Sequence, residues 1–378
     1  MISRILATEI GHRLGQGKAI LLTGPRQTGK TTLLKQLFQK SDTVQWLNGD
    51  DPETRLLLED VTVTKWKRII GEKKYLVLDE AQRIHNIGIK LKLITDQIPD
   101  VQVLASGSSA FELANQINEP LTGRKWAYHL FPLSYAELEN YFGYLEMQKQ
   151  LPNRLIYGSY PEVVTSQNEE RDVLNQLTDS FLYKDVLMWD KVKKPEKLTK
   201  LLQALAFQVG SEVSLNELGR TVGLDHQTVE SYLTILEQTF VIFRLSPLSR
   251  NLRKELKKKR KIYFYDNGIR NALIAQFQPL ELRQDVGRLW ENWLISERMK
   301  YLHYFRIYAN SFFWRTVDQR EIDYVEERNG IMWATELKWN PKKRAKLPAA
   351  FAKAYPQHEW RIITPENFSE WLLPVPES

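Results

Sequence analysis

The sequence predicts an α/β protein of two or three domains, in which buried strands feed a glycine-rich loop and helices. Three observations predict it. An apolar pentapeptide, Ala19–Thr23, runs into Gly24-Pro25-Arg26-Gln27-Thr28-Gly29-Lys30-Thr31 and then into leucines at helical spacing, Leu33, Leu34 and Leu37. A second apolar run, Tyr75–Leu78, ends abruptly in Asp79-Glu80, as a strand buried on both faces does at its exposed edge. Further on, several helical patterns precede a strongly basic hairpin. The 378 residues are long enough to give each part its own core, at about 100–200 residues per domain.

Composition narrows the chemistry. Hydrophobic residues make up 43% and charged residues 26%, which excludes a globally disordered or fibrous chain. The absence of cysteine excludes a disulfide scaffold, a thiol nucleophile and cysteine-based zinc or iron–sulfur sites. The six histidines are scattered and form no metal motif. No apolar stretch approaches the ~18–20 residues of a membrane span, and residues 1–17 read as an amphipathic helix rather than a signal peptide. The expectation is a soluble, cytoplasmic protein with no membrane partner. The net charge of +7 is unevenly spread: residues 191–261 hold fifteen basic and seven acidic residues, so the remainder is nearly neutral. That localised excess suits a polyanion, or else a solvated charged face.

The first element, Ala19–Thr23, is a strand feeding a Gly-x-x-x-x-Gly-Lys-Thr loop and a helix. Glycines let backbone N–H groups wrap phosphates, and the helix N-terminus adds partial positive charge. Gly24, Pro25, Arg26, Gln27, Thr28, Gly29, Lys30, Thr31 and Thr32 are therefore the expected nucleotide cradle. Lys30 would reach the β- and γ-phosphates of ATP, and the Thr31 hydroxyl would hold Mg²⁺. Asp79 is the expected second Mg²⁺ ligand, directly or through water, and Glu80 the general base that polarises the attacking water.

A third strand, Val101–Ala105, ends in Ser106-Gly107-Ser108-Ser109, where Ser108 or Ser109 is the candidate γ-phosphate sensor. Arg124, in Leu121-Thr122-Gly123-Arg124, is either an arginine finger for a neighbouring subunit's nucleotide or a surface salt-bridging arginine. Residues 131–190 turn to helical periodicity with aromatics, among them Phe131, Tyr135, Tyr141 and Phe142, and with Phe181, Leu182 and Val186 in a later helix. This is the reading of a helical lid or connector.

The basic module follows. Leu198 to Ala206, Leu215 to Arg220 and His226 onward form three helices with a Gly223-Leu224-Asp225 turn. Val241–Leu245 and Ile262–Tyr265 are expected strands around a hairpin carrying Arg253, Lys254, Lys257, Lys258, Lys259, Arg260 and Lys261. Three helices and a two-stranded wing make a winged helix-turn-helix. His226, Gln227, Thr228, Glu230 and Ser231 open its third helix, where DNA bases or phosphates are contacted. Such modules also dock proteins, and both partners stay open here.

The last hundred residues suggest a second centre. Glu291 lies in a helix, Phe305–Tyr308 reads as a strand, Asp323 lies in the strand Glu321–Val325, and Glu336 and Lys338 lie in the next. On a strand, Glu336 and Lys338 share one face. Asp323 and Glu336 could hold Mg²⁺ while Lys338 stabilises the reacting phosphate and Glu291 adds an acid. The same residues also suit a surface strand whose Glu336 and Lys338 merely pair.

Taken together, Gly24–Thr32, Leu76–Gln82, Ser106–Ser109, Leu121–Arg124, the run Val209–Asp266, the tract Tyr263–Arg270 and the set Glu291, Asp323, Glu336 and Lys338 resemble one family. It is that of prokaryotic AAA-type P-loop ATPases with a C-terminal domain long catalogued as of unknown function. The resemblance implies an AAA-type P-loop NTPase core over 1–130, a helical lid over 131–190, a winged helix over 191–275 and a PD-(D/E)xK restriction-endonuclease-like domain over 276–378. It also implies a homo-oligomer, with a hexameric ring as one form, and a role on DNA. Two functions are then expected as alternatives. One is an ATP-driven cycle on DNA, with or without cleavage. The other is a nucleotide-dependent switch whose later domains dock proteins.

Overall fold

The computed structural model describes the chain apart from residues 39–41, 109–120, 167, 182–191, 193, 249–259, 317 and 375–378. It forms two compact units, Met1–Leu133 with Gln238–Phe240, and Ser134–Glu237 with Val241–Ser378.

The first unit is a parallel sheet of β1 (Ala19–Thr23), β2 (Val44–Asn48), β3 (Tyr75–Asp79), β4 (Gln102–Gly107) and β5 (Lys125–His129), in the order β2-β3-β4-β1-β5. β1 and β4 are buried at every position, which is why Ala19–Leu22 and Val103–Ala105 read as continuous apolar stretches rather than alternating ones. Helices α1 (Ile5–Arg13), α2 (Lys30–Leu37), α3 (Pro52–Leu57), α4 (Val63–Ile70) and α5 (Ile87–Gln97) accompany it. Thr62 caps α4 by accepting from the Lys65 N–H, and this helix delivers a fully buried Trp66 to a core shared with Leu76, Leu78, Leu91 and Val103. Truncating such a buried aromatic costs about 3–5 kcal/mol. Because β4 lies between β1 and β3, the C-terminal ends of all three adjoin one edge, where open α/β sheets bind ligands.

The second unit begins with α6 (Tyr135–Phe142), whose capping box joins Ser134 and Glu137. Helices α7 (Tyr144–Tyr157), α8 (Pro161–Thr165), α9 (Glu170–Phe181), α10 (Pro195–Phe207), α11 (Leu215–Val222) and α12 (His226–Gln238) follow. Strands β6 (Glu212–Val213), β7 (Ile242–Pro247), β8 (Arg260–Phe264), β9 (Asn310–Arg315), β10 (Glu321–Arg328), β11 (Ile331–Leu337) and β12 (His358–Ile363) make one sheet, ordered β12-β11-β10-β9-β7-β8-β6. β7 is the seam: it pairs antiparallel with β8 and parallel with β9. The remaining helices are α13 (Asn267–Leu273), α14 (Val286–Tyr304), α15 (Ala349–Ala354) and α16 (Phe368–Leu372). After α14 the chain runs through an antiparallel meander, β9-β10-β11, then α15, then β12 parallel to β11.

Between Ile322 and Val325 the register of β10 against β9 slips, so Asp323 and Tyr324 sit in a β-bulge. Bulges bend a strand locally and re-aim its side chains.

Residues 305–308, expected as a strand, are instead a turn that follows the last residue of α14. Arg306 takes a left-handed φ of 55° and the Ile307 N–H closes on the Leu302 carbonyl at 2.9 Å, so the chain reverses before β9 starts at Asn310. Leu182 and Val186 lie outside the described residues. Among the described residues no helix is long and apolar enough to cross a membrane.

Candidate functional sites

The Gly24–Lys30 loop is built around conformations its residues must adopt. Gly24 has φ 153°, and a Cβ there would stand 2.2 Å from the Leu130 carbonyl oxygen, so only glycine fits. Gly29 is left-handed and leads directly into α2. Thr28 is buried, and its hydroxyl donates to the Pro25 carbonyl at 2.9 Å. The guanidinium of buried Arg4 donates to the carbonyls of Thr28 and Phe131, both at 2.6 Å, and fastens the loop from behind. Lys30 is also buried, with Nζ donating to the Gly24 and Pro25 carbonyls at 2.9 and 2.7 Å. Arg26 is half-buried, and Gln27 and Thr32 are exposed.

The acids of β3 meet this loop. Thr31 Oγ1 donates to Asp79 Oδ2 at 2.7 Å, and Ser106 Oγ from β4 donates to Asp79 Oδ1. The hydroxyl of Thr31 and the carboxylate of Asp79 are hard oxygen donors, and Mg²⁺ needs only one or two carboxylates beside phosphate and water. The residues therefore fit Mg²⁺, with Thr31 and Asp79 to hold it. Glu80 stands in a left-handed conformation, φ 47°, directly after the strand. Its Oε2 accepts from Gln82 Nε2 at 2.6 Å, and the same nitrogen lies 3.2 Å from Ser108 Oγ. Gly49 permits this arrangement, since a Cβ on it would stand 2.3 Å from the Glu80 carbonyl oxygen. Behind the loop, His129 Nδ1 lies 2.7 Å from Thr23 Oγ1, and burial lowers the pKa of this imidazole to about 4.

Ser108 is thus brought to Glu80 through Gln82, whereas Ser109 lies outside the described residues. Arg124 lies at the opposite edge of the sheet. It immediately precedes Lys125, which pairs with Ala19 at the start of β1, and its Nε is 2.6 Å from Asp96 Oδ1. Sequence reasoning missed Arg4, Gly49, Gln82 and Ser106. Of these only Ser106, at a strand end, carried a local signal.

The second unit collects another polar centre. The bulge places Asp323 so that Oδ2 accepts the Leu337 N–H at 2.8 Å and lies 3.9 Å from Lys338 Nζ, which in turn is 2.5 Å from Glu336 Oε1. Burial, with help from Glu291 and Glu336, pushes the Asp323 carboxyl up to about 7, against the opposing pull of Lys261 and Lys338. Burial works against the charge on Lys338, but Asp323 and Glu336 outweigh it and raise its pKa. Glu291 accepts from Tyr263 at 2.7 Å and from Lys261 at 3.1 Å. Among the described residues no three His, Asp or Glu side chains are arranged to hold a metal ion. Asp323 and Glu336 offer two carboxylates, enough for Mg²⁺ but not for a closed protein cage.

One expected DNA contact is corrected. Lys261 does not lie on a basic surface: its side chain is 4% exposed, and Nζ stands between Glu291 and Glu321 as their counter-ion. The pairing of β8 with β7 and β6 carries it into this acidic setting. Arg260 is half-buried, 4.0 Å from Glu230. Arg253, Lys254, Lys257, Lys258 and Lys259 lie outside the described residues. At the start of α12, His226 and Gln227 are exposed. The Thr228 hydroxyl donates to Asp225 at 2.6 Å as part of the helix cap, and Glu230 accepts from Arg244.

Three family models match the chain. One described as an AAA domain covers residues 16–139, and two described as domains of unknown function cover 148–280 and 286–372. An uncharacterized protein of Mycobacterium tuberculosis is 26% identical over 341 residues, 89% of this chain and 73% of the relative. One of Haemophilus influenzae is 24% identical over 286 residues, 68% of this chain and 69% of the relative. Among solved structures, a Walker-type ATPase of Pyrococcus abyssi aligns with a TM-score of 0.49 and 13% identity, covering 72% of this chain and 96% of that one. The phosphate loop, the acid-ended strand beside it and the matching family model agree: residues 16–139 form an AAA-type P-loop ATPase domain.

Proposed function

We propose that the protein binds ATP with Mg²⁺ through Gly24–Thr32 and Asp79, and hydrolyses it with Glu80 as general base. The observation that carries this reading is the carboxylate of Asp79, shared by Thr31 of the phosphate loop and Ser106 of the neighbouring strand. A structural turn has no need of an acid held by hydroxyls on both sides at the ligand-binding edge of a parallel sheet. Arg124, at the far edge, meets a γ-phosphate only if a second copy of the chain presents one, so its role as a finger belongs to a homo-oligomer.

For the second unit we favour action on DNA. The basic excess of residues 191–261 supports contact through the β7–β8 connection and exposed Gln227. The convergence of Asp323, Glu336 and Lys338 at a bulge supports a metal-dependent cleavage centre with Glu291 beside it.

Phosphate release and DNA binding across a salt series, in one preparation, test both. Binding should weaken with salt by a slope of about 0.9 per phosphate neutralised, and replacing Lys257, Lys258 and Lys259 with Ala should flatten it. Absence of binding at low salt would favour a nucleotide-dependent switch that docks proteins. Cleavage of linear, nicked or branched DNA with Mg²⁺ or Mn²⁺ by wild type, but not by Asp323→Ala, supports the nuclease. No cleavage on any substrate leaves the ATPase as the one enzyme in the chain.

A further inference from the structure

We infer that Gln82 is a positioning residue for ATP hydrolysis, fixing which oxygen of Glu80 receives the proton of the attacking water. The inference rests on the ATPase reading above and goes beyond it by assigning a residue that the phosphate-loop motif and the acid pair do not contain.

Gln82 lies in a single 3₁₀ turn, Ala81–Arg83, that starts directly from left-handed Glu80. Its side chain is buried, yet it packs among polar groups: Nε2 donates to Glu80 Oε2 at 2.6 Å and to Ser108 Oγ at 3.2 Å. The amide orientation follows from chemistry. Turned the other way, the amide oxygen would face a carboxylate oxygen at hydrogen-bond distance, two acceptors with no proton between them. In the orientation found, Oε1 is buried without a partner, a cost that a merely bracing side chain of apolar character would not carry. The amide is therefore kept for what Nε2 does. It ties Oε2 of Glu80 to the end of β4, leaving Oε1 of Glu80 without a protein partner among the described residues.

In the reaction, the water oxygen bonds to the γ-phosphorus. The bond from that phosphorus to the β–γ bridging oxygen breaks, with its electron pair leaving on ADP. The water proton passes to Glu80 Oε1. A carboxylate free to rotate would present this oxygen only part of the time, and misplacing a general base lowers turnover without lowering substrate affinity.

The test is a double-mutant cycle on the full chain. Gln82→Met keeps the length and removes both polar atoms. We expect turnover to fall about tenfold or more with ATP affinity and melting temperature little changed. In a Glu80→Gln background the same substitution should have no further effect on residual single-turnover hydrolysis, since its target is gone. An equal loss in both backgrounds, or lost affinity or folding in parallel, would make Gln82 a structural brace and overturn the inference. So would a wild-type rate in Gln82→Met. Should Gln82→Met fail to fold, Gln82→Glu keeps the shape but sets a second carboxylate against Glu80, and the same two-background comparison decides. No turnover by wild type would instead overturn the ATPase reading itself, before any variant is compared.

Discussion

Lys261 Nζ stands 3.1 Å from Glu291 Oε1, and the lysine side chain is 4% exposed. A residue from the most basic stretch of the sequence is thus an internal counter-ion. Burial disfavours its charge, yet Glu291, Glu321 and Asp323 more than compensate and raise its pKa.

Lys261→Ala should therefore act on stability. It leaves Glu291 without its cation and Glu321 with Arg315 alone, and breaking one side of a buried pair costs about 3–5 kcal/mol. The denaturation midpoint should drop clearly, whereas the salt dependence of DNA binding should be that of wild type in the folded fraction. Because the folded pKa is raised, this contribution is complete below the ordinary lysine value of about 10.5 and fades as pH rises above it. A Lys261→Ala protein as stable as wild type at pH 7 would refute this account of the ion pair.

Asp323 makes the opposite prediction for a carboxylate. With its pKa raised from 3.8 to about 7, the folded state holds a proton that the unfolded state releases, so its contribution to stability falls as pH rises through that window. Asp323→Asn keeps an acceptor for the Leu337 N–H and removes the charge. Thermal melts with a metal chelator present should show the variant more stable than wild type at pH 8, with the gap closing towards pH 4. Equal stability at pH 8 would mean that the carboxyl is not held high.

Gly49→Ala addresses the left-handed Glu80. The added Cβ would fall 2.3 Å from the Glu80 carbonyl oxygen, so the backbone that holds the base must shift. Turnover should fall about tenfold while Lys30 and its loop still bind nucleotide, with a stability loss of about 1–3 kcal/mol. Calorimetric ATP binding alongside phosphate release separates the two effects. Unchanged turnover would show that the Glu80 backbone tolerates displacement.

What the sequence revealed follows from how each feature is encoded. The phosphate loop and Asp79-Glu80 were legible because strand, loop and helix are contiguous and the acids end an apolar run. Ser106 reaches Asp79 across strands, and Gln82, two residues from Glu80, is set by burial and by Ser108 at the end of β4. Arg4 reaches Phe131 across 127 positions, and nothing local marks such a contact. Lys261 was misplaced for the same reason: composition registers charge but not the sheet pairing that buries it. The tract Tyr263–Arg270, which helped carry the family resemblance, is a buried polar tie. Asp266 accepts the Ser159 N–H at 2.7 Å, Asn267 donates to the Leu155 and Leu289 carbonyls at 3.0 Å, and Arg270 donates to the Ala206 carbonyl at 2.7 Å. Such a tie explains why these polar residues sit in a core without implying chemistry there.

If the shared Asp79 carboxylate and the adjoining Glu80 form a working ATPase centre, hydrolysis depends on the Glu80 carboxylate while nucleotide binding does not. The most direct test is Mg²⁺-dependent phosphate release by wild type and Glu80→Gln, with ATP affinity measured on both. The account predicts slow turnover by wild type, and in the variant an affinity within a few-fold of wild type with turnover lower by about 10²–10⁴. Wild-type turnover in Glu80→Gln would contradict it.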